Sequence, residues 1–305
     1  MNKIFVLGSL NMDLIFSLSR RPRKGETITS EDYQTSPGGK GANQAVACAK
    51  QGVETIMLGS LGEDAFSDRI KQSLNQYNVN SSHLQVIDNA STGVACIWIE
   101  DGDNRIVLNP GANNHHHMKD IESVLKTQSQ SGDVLLMQME IPIDIIEKSI
   151  ELASSLSLKI VLNLAPHKPL SNRALKMVDL LIVNQLEGQA LLGEPIEKDI
   201  KKSLKHLLSL GPKRLILTLG SRGSVYHDHT THIHLASYDV DVIDTTGAGD
   251  AFIGCFIANQ VMDISLEQSL KRASACAAMT IQKVGVHPAI PTEQMIDSFL
   301  EKRHK

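Results

Sequence analysis

Paired cysteines, long apolar runs and an excess of positive charge are all missing from this sequence. Its four cysteines, Cys48, Cys96, Cys255 and Cys276, stand singly in apolar surroundings with no Cys-x-x-Cys spacing. That pattern suits reduced, buried thiols in a cytoplasmic protein and offers neither a disulfide framework nor a zinc site. A net charge of −4 and a pI near 6.3 leave no basic surface for nucleic acid. No segment is long and apolar enough to span a bilayer. The apolar run after Lys3 is broken by Asn11 and Asp13, and no small-residue cleavage site follows, so it does not read as a signal peptide. The expectation is a soluble, cytoplasmic protein with no membrane or nucleic-acid partner.

What is present is ample chain for a core: 305 residues with no repeat, low-complexity tract or linker, read as one domain over 1–305. Apolar stretches at 4–10, Thr55–Leu58, 133–139, 159–164, 180–183 and 214–219 are continuous rather than alternating. Strands of this kind are buried on both faces, which predicts an α/β fold with a mainly parallel sheet between helix layers. Helices are expected at 43–51, at 143–154 and between the later strands.

Two stretches break the rhythm. Residues 14–37 are polar with alternating segments, and 91–110 reads as a hairpin of 94–100 and 105–109 turning at Asp101-Gly102-Asp103-Asn104. Val94, Ala95, Cys96, Ile97, Trp98 and Ile99 leave neither face of that hairpin polar. It reads as a β lid over a site whose outer face is available to a second subunit, or else as an edge extension of the main sheet.

Chemistry concentrates where strands end. Asn11 and Asp13, Glu140, Asn163, Asn184 and Glu187, Thr218 and Gly220 each follow an apolar stretch. In open α/β sheets, ligands bind outside the carboxyl ends of the strands. The strongest such position is Asp244-Thr245-Thr246-Gly247-Ala248-Gly249-Asp250, between an expected strand at 240–243 and an expected helix over 251–258. Small residues let backbone N–H groups approach an anion, and the helix N-terminus adds unpaired donors, so phosphate is the natural guest. Asp250 then either takes the proton of an alcohol attacking phosphorus or caps an ordinary turn. Pro37-Gly38-Gly39-Lys40-Gly41-Ala42-Asn43-Gln44 is a second Gly-rich helix start. It is not a Walker A loop, because Lys40 lies between glycines and no Ser or Thr follows it. His115-His116-His117 reads as a solvated run. His227, His229, His232 and His234 read as a solvated hairpin edge, with adventitious metal binding as the alternative.

Gly8-Ser9-Leu10-Asn11-Met12-Asp13, the GGKGANQ at 38–44, the STGVA at 91–95, the TLGSRG at 218–223 and the DTTGAGDAF around Asp250 together resemble the ribokinase/PfkB family of carbohydrate kinases, nearly end to end and in order. The resemblance implies the family's three-layer sandwich with a small β-sheet lid at about 14–37 and 91–110. It implies phosphorylation of D-ribose at its 5-hydroxyl with MgATP, giving ribose 5-phosphate. Asp250 matches the general base, and Gly247, Ala248 and Gly249 the anion hole. Asn11, Met12, Asp13, Gly39, Lys40, Gly41, Ala42, Asn43 and Glu140 fall at sugar-binding positions. Thr218, Leu219, Gly220, Ser221, Arg222 and Gly223 resemble the nucleotide loop, and Asn184 and Glu187 an Asn-x-x-Glu element that orders magnesium and phosphates. Kinases of this family also hold K⁺ beside the anion hole, and the matching positions are Asp244, Thr246, Thr280, Lys283, Gly285 and Ala289. A homodimer through the lid is expected.

The sequence departs from the family pattern at three places: Gln185 stands where Glu is common, Leu164 where Pro is common, and Ala289 where a Ser hydroxyl commonly faces K⁺. Other acceptors stay open, among them 2-deoxyribose, a nucleoside, or a phosphorylated sugar met by Arg20, Arg21, Arg23 and Lys24. A non-catalytic sugar sensor is the reading from another class, and the intact Asp250 counts against it.

Overall fold

Continuous apolar strands need neighbours on both edges and helices on both faces, and here they find them. The computed structural model describes residues 2–100, 103–196 and 200–303. In chain order the strands are β1 (Ile4–Leu7), β2 (Asn11–Ser17), β3 (Asp32–Gly38), β4 (Thr55–Leu58), β5 (Ser60–Gly62), β6 (Val79–Asn80), β7 (Gln85–Ile87), β8 (Gly93–Glu100), β9 (Asp103–Asn109), β10 (Val134–Gln138), β11 (Lys159–Asn163), β12 (Leu180–Asn184), β13 (Leu215–Thr218), β14 (Ser224–His227) and β15 (His232–Leu235). The main sheet has nine strands in the order β15-β14-β13-β12-β11-β10-β1-β4-β6. It is parallel from β6 to β13, with Ile4 level with Val134 on one side and Thr55 on the other. β14 and β15 close one edge antiparallel.

Alternate residues of each strand feed two separate cores. Ile4, Val6, Leu136 and Ile216 pack beneath the helices Lys40–Ala49, Ala248–Val261 and Leu266–Thr280. Phe5, Leu7, Leu135 and Leu217 pack beneath Met118–Gln128, Ile143–Ser155 and Ile200–Ser209. Full burial of such side chains stabilises by roughly 1.5–3 kcal/mol each, so the sheet is held from both sides. The result is the three-layer α/β sandwich that continuous apolarity predicts. The alanine-rich Lys40–Ala49 helix combines strong helix propensity with a thin face. A methyl on Gly254 would lie only 2.4 Å from the Ala47 side chain. That close approach lets the two helices pack side by side, within reach of the Asn43 and Gln44 contacts to Asp250.

A separate four-stranded sheet, β3-β2-β8-β9, stands off the main one. The 91–110 hairpin is therefore not an edge extension. Asp64 anchors its base: it caps the Ala65–Gln76 helix at Ser67 N (3.0 Å) and accepts from Thr92 N and Thr92 Oγ1 (both 2.7 Å). Ala95 and Ile97 are buried, while Cys96 and Trp98 on the opposite face are half-buried and line an apolar cavity of about 400 Å³ with Phe16 and Leu18. All four cysteines are free, and Cys96 is the one not fully buried.

Several expectations are corrected. The first strand stops at Leu7, and Asn11 opens a strand of the small sheet instead. Residues 240–243 form no strand, because β15 already ends the sheet on that side. The segment lies instead across the end of the Leu266–Thr280 helix, where Ile243 N and Asp244 N both donate to Ile281 O (2.8 and 3.1 Å). The histidine run is not uniformly solvated. His116 turns inward, its Nδ1 3.0 Å from Ser60 Oγ, and burial pushes its pKa down to about 4. His227 and His232 face one another across β14 and β15 with ring centroids 5.4 Å apart. Of the expected 101–104 turn, Asp101 and Gly102 lie outside the described residues.

Candidate active site

The Ala248–Val261 helix begins on Gly247, which has no side chain to cap it and takes φ +75°, a left-handed conformation only glycine adopts without strain. Ala248 N donates to Thr245 O (3.3 Å), and the residues of that first turn line a cavity of about 150 Å³. Gly247, Ala248 and Gly249 form one wall, and Lys40, Asn184, Glu187 and Thr218 contribute others. A methyl added to Gly249 would meet nothing within 4 Å, so the cradle is open on that side.

Asp250 is the third residue of the helix and is 8% exposed. Its two oxygens accept from different amides, Oδ2 from Asn43 Nδ2 and Oδ1 from Gln44 Nε2, both at 2.9 Å. Lys40 opens the facing helix. Burial pushes its pKa down, but the charges of Asp250, Glu140 and Glu187 outweigh that and raise it. It therefore stays an ammonium, the counter-charge of an otherwise acidic pocket. Glu140 accepts from Ser9 Oγ (2.5 Å) and from Lys40 N (3.4 Å). Asp13 is pushed up to about 7, first by burial and then by Glu140 and Asp250. Asn113 fixes Asn11: it bonds both backbone groups of Leu10, and its Nδ2 donates to Asn11 Oδ1 (2.8 Å). That leaves the amide nitrogen of Asn11 as the end available to a ligand.

On the far side of the cradle, Asn184 and Glu187 form a reciprocal capping box at the Gln185–Leu192 helix (2.9 and 2.8 Å). Burial raises the Glu187 carboxyl, and its Oε1 takes no part in the box. Thr218 lines the cavity. Gly220–Arg222 is an exposed 3₁₀ turn beyond it, closed by Gly223. Gln185 accepts from Arg222 Nη2 (2.6 Å). Behind the cradle, Asp244 joins two loops, accepting from Thr246 N (2.9 Å) and Gly285 N (3.4 Å). Thr280 and Ala289 are buried beside this junction, and Lys283 is exposed.

The expected site residues thus meet at one end of the sheet, with three qualifications. The side chains of Met12 and Ala42 lie in the hydrophobic core, and Leu219 is likewise buried in the other core, so only their backbone is available to a ligand. Three contributors escaped sequence reading: Gln44, Gln138 and Asn113. Gln138 left a signal, as the sole polar residue of an otherwise apolar strand.

The family model described as pfkB family carbohydrate kinase matches residues 1–293. A ribokinase of Schizosaccharomyces pombe is 35% identical over 318 residues, covering 100% of both chains. A deoxyribokinase of Salmonella typhi is 29% identical over 301 residues, 97% of this chain and 98% of that one. Arabidopsis thaliana ribokinase, solved with ribose and ATP, superposes with a TM-score of 0.90 at 31% identity, covering 98% of this chain and 99% of that one. A family match that runs from the first strand into the last helix, on a fold shared over nearly the whole length, leaves one assignment: the chain belongs to the pfkB family of carbohydrate kinases.

Proposed function

We propose that this protein is a ribokinase, transferring the terminal phosphoryl group of ATP to the 5-hydroxyl of D-ribose. The observation that carries the reading is the place of Asp250. It lies within the first turn of a helix whose first residues line an anion-sized cavity, and it touches Asn43 on the opposite side. A carboxylate so close to a phosphate cradle is repelled by its guest, so its presence there calls for a chemical role. As the sugar oxygen bonds to phosphorus and the bond to the ADP oxygen breaks, the hydroxyl proton passes to Asp250. The 247–249 backbone N–H groups and Lys40 stabilise charge on the transferring group. Asn11, Asp13, Asn43 and Glu140 hold the sugar.

Magnesium and potassium belong to this reading. Among the described residues no three His, Cys, Asp or Glu side chains are grouped to hold a metal. That fits Mg²⁺, which usually takes one or two carboxylates and completes its shell with waters and phosphates. Glu187, with Oε1 outside the capping box, is the group that would hold it, and Mg²⁺ would neutralise phosphate charge. K⁺ would rest on backbone carbonyls of Thr246, Thr280, Lys283, Gly285 and Ala289 beside the Asp244 carboxylate. The small sheet acts as a lid and as the contact of a homodimer working in the cytoplasm. The free cysteines and the exposed Val107 of β9 support these last two points.

The likeness to a deoxyribokinase keeps 2-deoxyribose as a second acceptor. Purified protein assayed with MgATP against ribose, 2-deoxyribose, hexoses and nucleosides decides. The expected outcome is the highest kcat/KM with ribose. A clear preference for any other acceptor overturns the assignment.

A further inference from the structure

Asp250 cannot serve as a base unless one oxygen points at the sugar hydroxyl, and nothing in its own side chain fixes that direction. The carboxylate rotates freely about its last bond, and the first turn of the helix supplies no side-chain cap. What fixes it comes from the sheet. Asn163 Nδ2 donates to the backbone carbonyl of Ile182 (3.2 Å). A carbonyl only accepts, so the Asn163 amide has one orientation and turns its Oδ1 the other way. That oxygen accepts from Gln44 Nε2 (3.1 Å). The same nitrogen donates to Asp250 Oδ1 (2.9 Å). Gln138 Nε2 in turn donates to Gln44 Oε1 (2.7 Å). Gln44 and Gln138 are completely buried, and a methyl on Gly8 would lie 1.9 Å from Gln138 Oε1. The absence of a side chain at residue 8 is what makes room for the Gln138 amide.

We propose that Gln44, keyed by Asn163 on one side and Gln138 on the other, is a positioning residue that sets the rotation of the Asp250 carboxylate, so that its reactive lone pair faces the sugar. The proposal rests on the reading of Asp250 as the base. Both hydrogens of the Gln44 amide go to acceptors and its oxygen is held by a donor, so the group cannot flip without breaking three bonds. Asn43 holds the other oxygen but has no such lock: its own Oδ1, like Oε1 of Gln138, is buried with no partner among the described residues. Asn43 can therefore exchange its bond to Asp250 for one with the sugar, whereas Gln44, held at both ends of its amide, cannot. The two neighbours therefore divide the work, Asn43 for the substrate and Gln44 for the base.

Gln44→Met keeps the volume and removes both donors. At saturating ribose and ATP its kcat falls by about tenfold or more, while the ribose KM changes by less than about threefold. The other charged groups facing Asp250 are unaltered in the variant: Lys40 on the Gln44 helix, Asp13 on β2, Glu140 after β10 and Glu187 on the Gln185–Leu192 helix. Gln138→Met, which unlocks Gln44 without touching Asp250, shows a smaller loss in the same direction. Thermal unfolding of each variant separates lost fold from lost catalysis. A folded Gln44→Met with wild-type kcat overturns the proposal, and so does wild-type kcat in a folded Gln138→Met if Gln44→Met does not fold. Asp250→Asn distinguishes the layers. If it keeps kcat, the base assignment itself fails; if it loses kcat while both glutamine variants do not, only the positioning role fails.

Discussion

Asp13 is held at odds with its own charge. Burial and the neighbouring Glu140 and Asp250 raise its pKa from 3.8 to about 7. The folded protein therefore binds that proton more tightly than the unfolded chain does. The stability this contributes is fully present below pH 3.8 and is lost as pH rises through about 7. Asp13→Asn, which mimics the protonated form, should raise the unfolding midpoint of the ligand-free protein at pH 8 by about 2 °C or more, with little gain at pH 4. An unchanged midpoint at both pH values would show that Asp13 carries no such penalty. The same residue should make ribose kcat/KM climb with pH through about 7, because the ionised form accepts hydroxyl protons; the climb at that pH should be absent in Asp13→Asn. Asp13→Ala and Asn43→Ala should each cost roughly 2–4 kcal/mol in kcat/KM for ribose, since buried partners lose their hydrogen bonds. Asp250→Asn should lower kcat at least about a hundredfold and leave ATP binding intact. Asp250, Lys40 and Asn43 were legible because they sit inside glycine-rich helix starts. Gln44 was overlooked in the same motif because its partners, Gln138 and Asn163, lie 94 and 119 residues away.

At the scale of elements, the loop behind the cradle is fixed from several sides. Lys50 Nζ donates to His287 O (2.6 Å) and Ile290 O (2.7 Å), while the Asp244 carboxylate accepts from Gly285 N. A loop so anchored presents its carbonyls in one arrangement, which is what a monovalent cation requires. Ala289 supplies no hydroxyl there, and its methyl is buried. Activation by K⁺ should therefore half-saturate at a higher concentration than after Ala289→Ser, with kcat at saturation unchanged. KCl titration at constant ionic strength reads this out, and equal rates in K⁺, Na⁺ and a bulky organic cation for both proteins would remove the site. Six strands of the main sheet, β1, β4, β10, β11, β12 and β13, were legible within a few residues because apolar runs buried on both faces tolerate few polar interruptions. Residues 240–243 misled for the opposite reason. Alternation describes a half-buried strand, but it carries no information on whether a neighbouring strand remains to pair with.

At the scale of the whole molecule, one apolar surface lies on the small sheet. Val107 of β9 is 65% exposed and Tyr33 of β3 is 51% exposed, both on the face that carries Cys96 and Trp98. Cys96 lies level with Val107, and Trp98 is two residues further along the same face of β8. That face borders the 400 Å³ cavity, which Glu26 also lines, and Arg105 lies level with Trp98 at its edge. A monomer gains nothing by leaving β-branched side chains in water on a sheet edge, where they invite association. A second copy packed on this sheet would cover them and stiffen the element that closes over the sugar. Val107→Glu puts a charge on the exposed part of that face without entering the core, and Trp98→Glu puts one at its half-buried centre. Both should shift the protein from dimer to monomer in sedimentation at micromolar concentration. Both should also raise the ribose KM more than the ATP KM, because a loosened lid lets water compete for the sugar pocket and leaves the nucleotide cradle untouched. A wild-type protein that sediments as a monomer would end the dimer assignment. Variants that dissociate with an unchanged ribose KM would separate the interface from the lid.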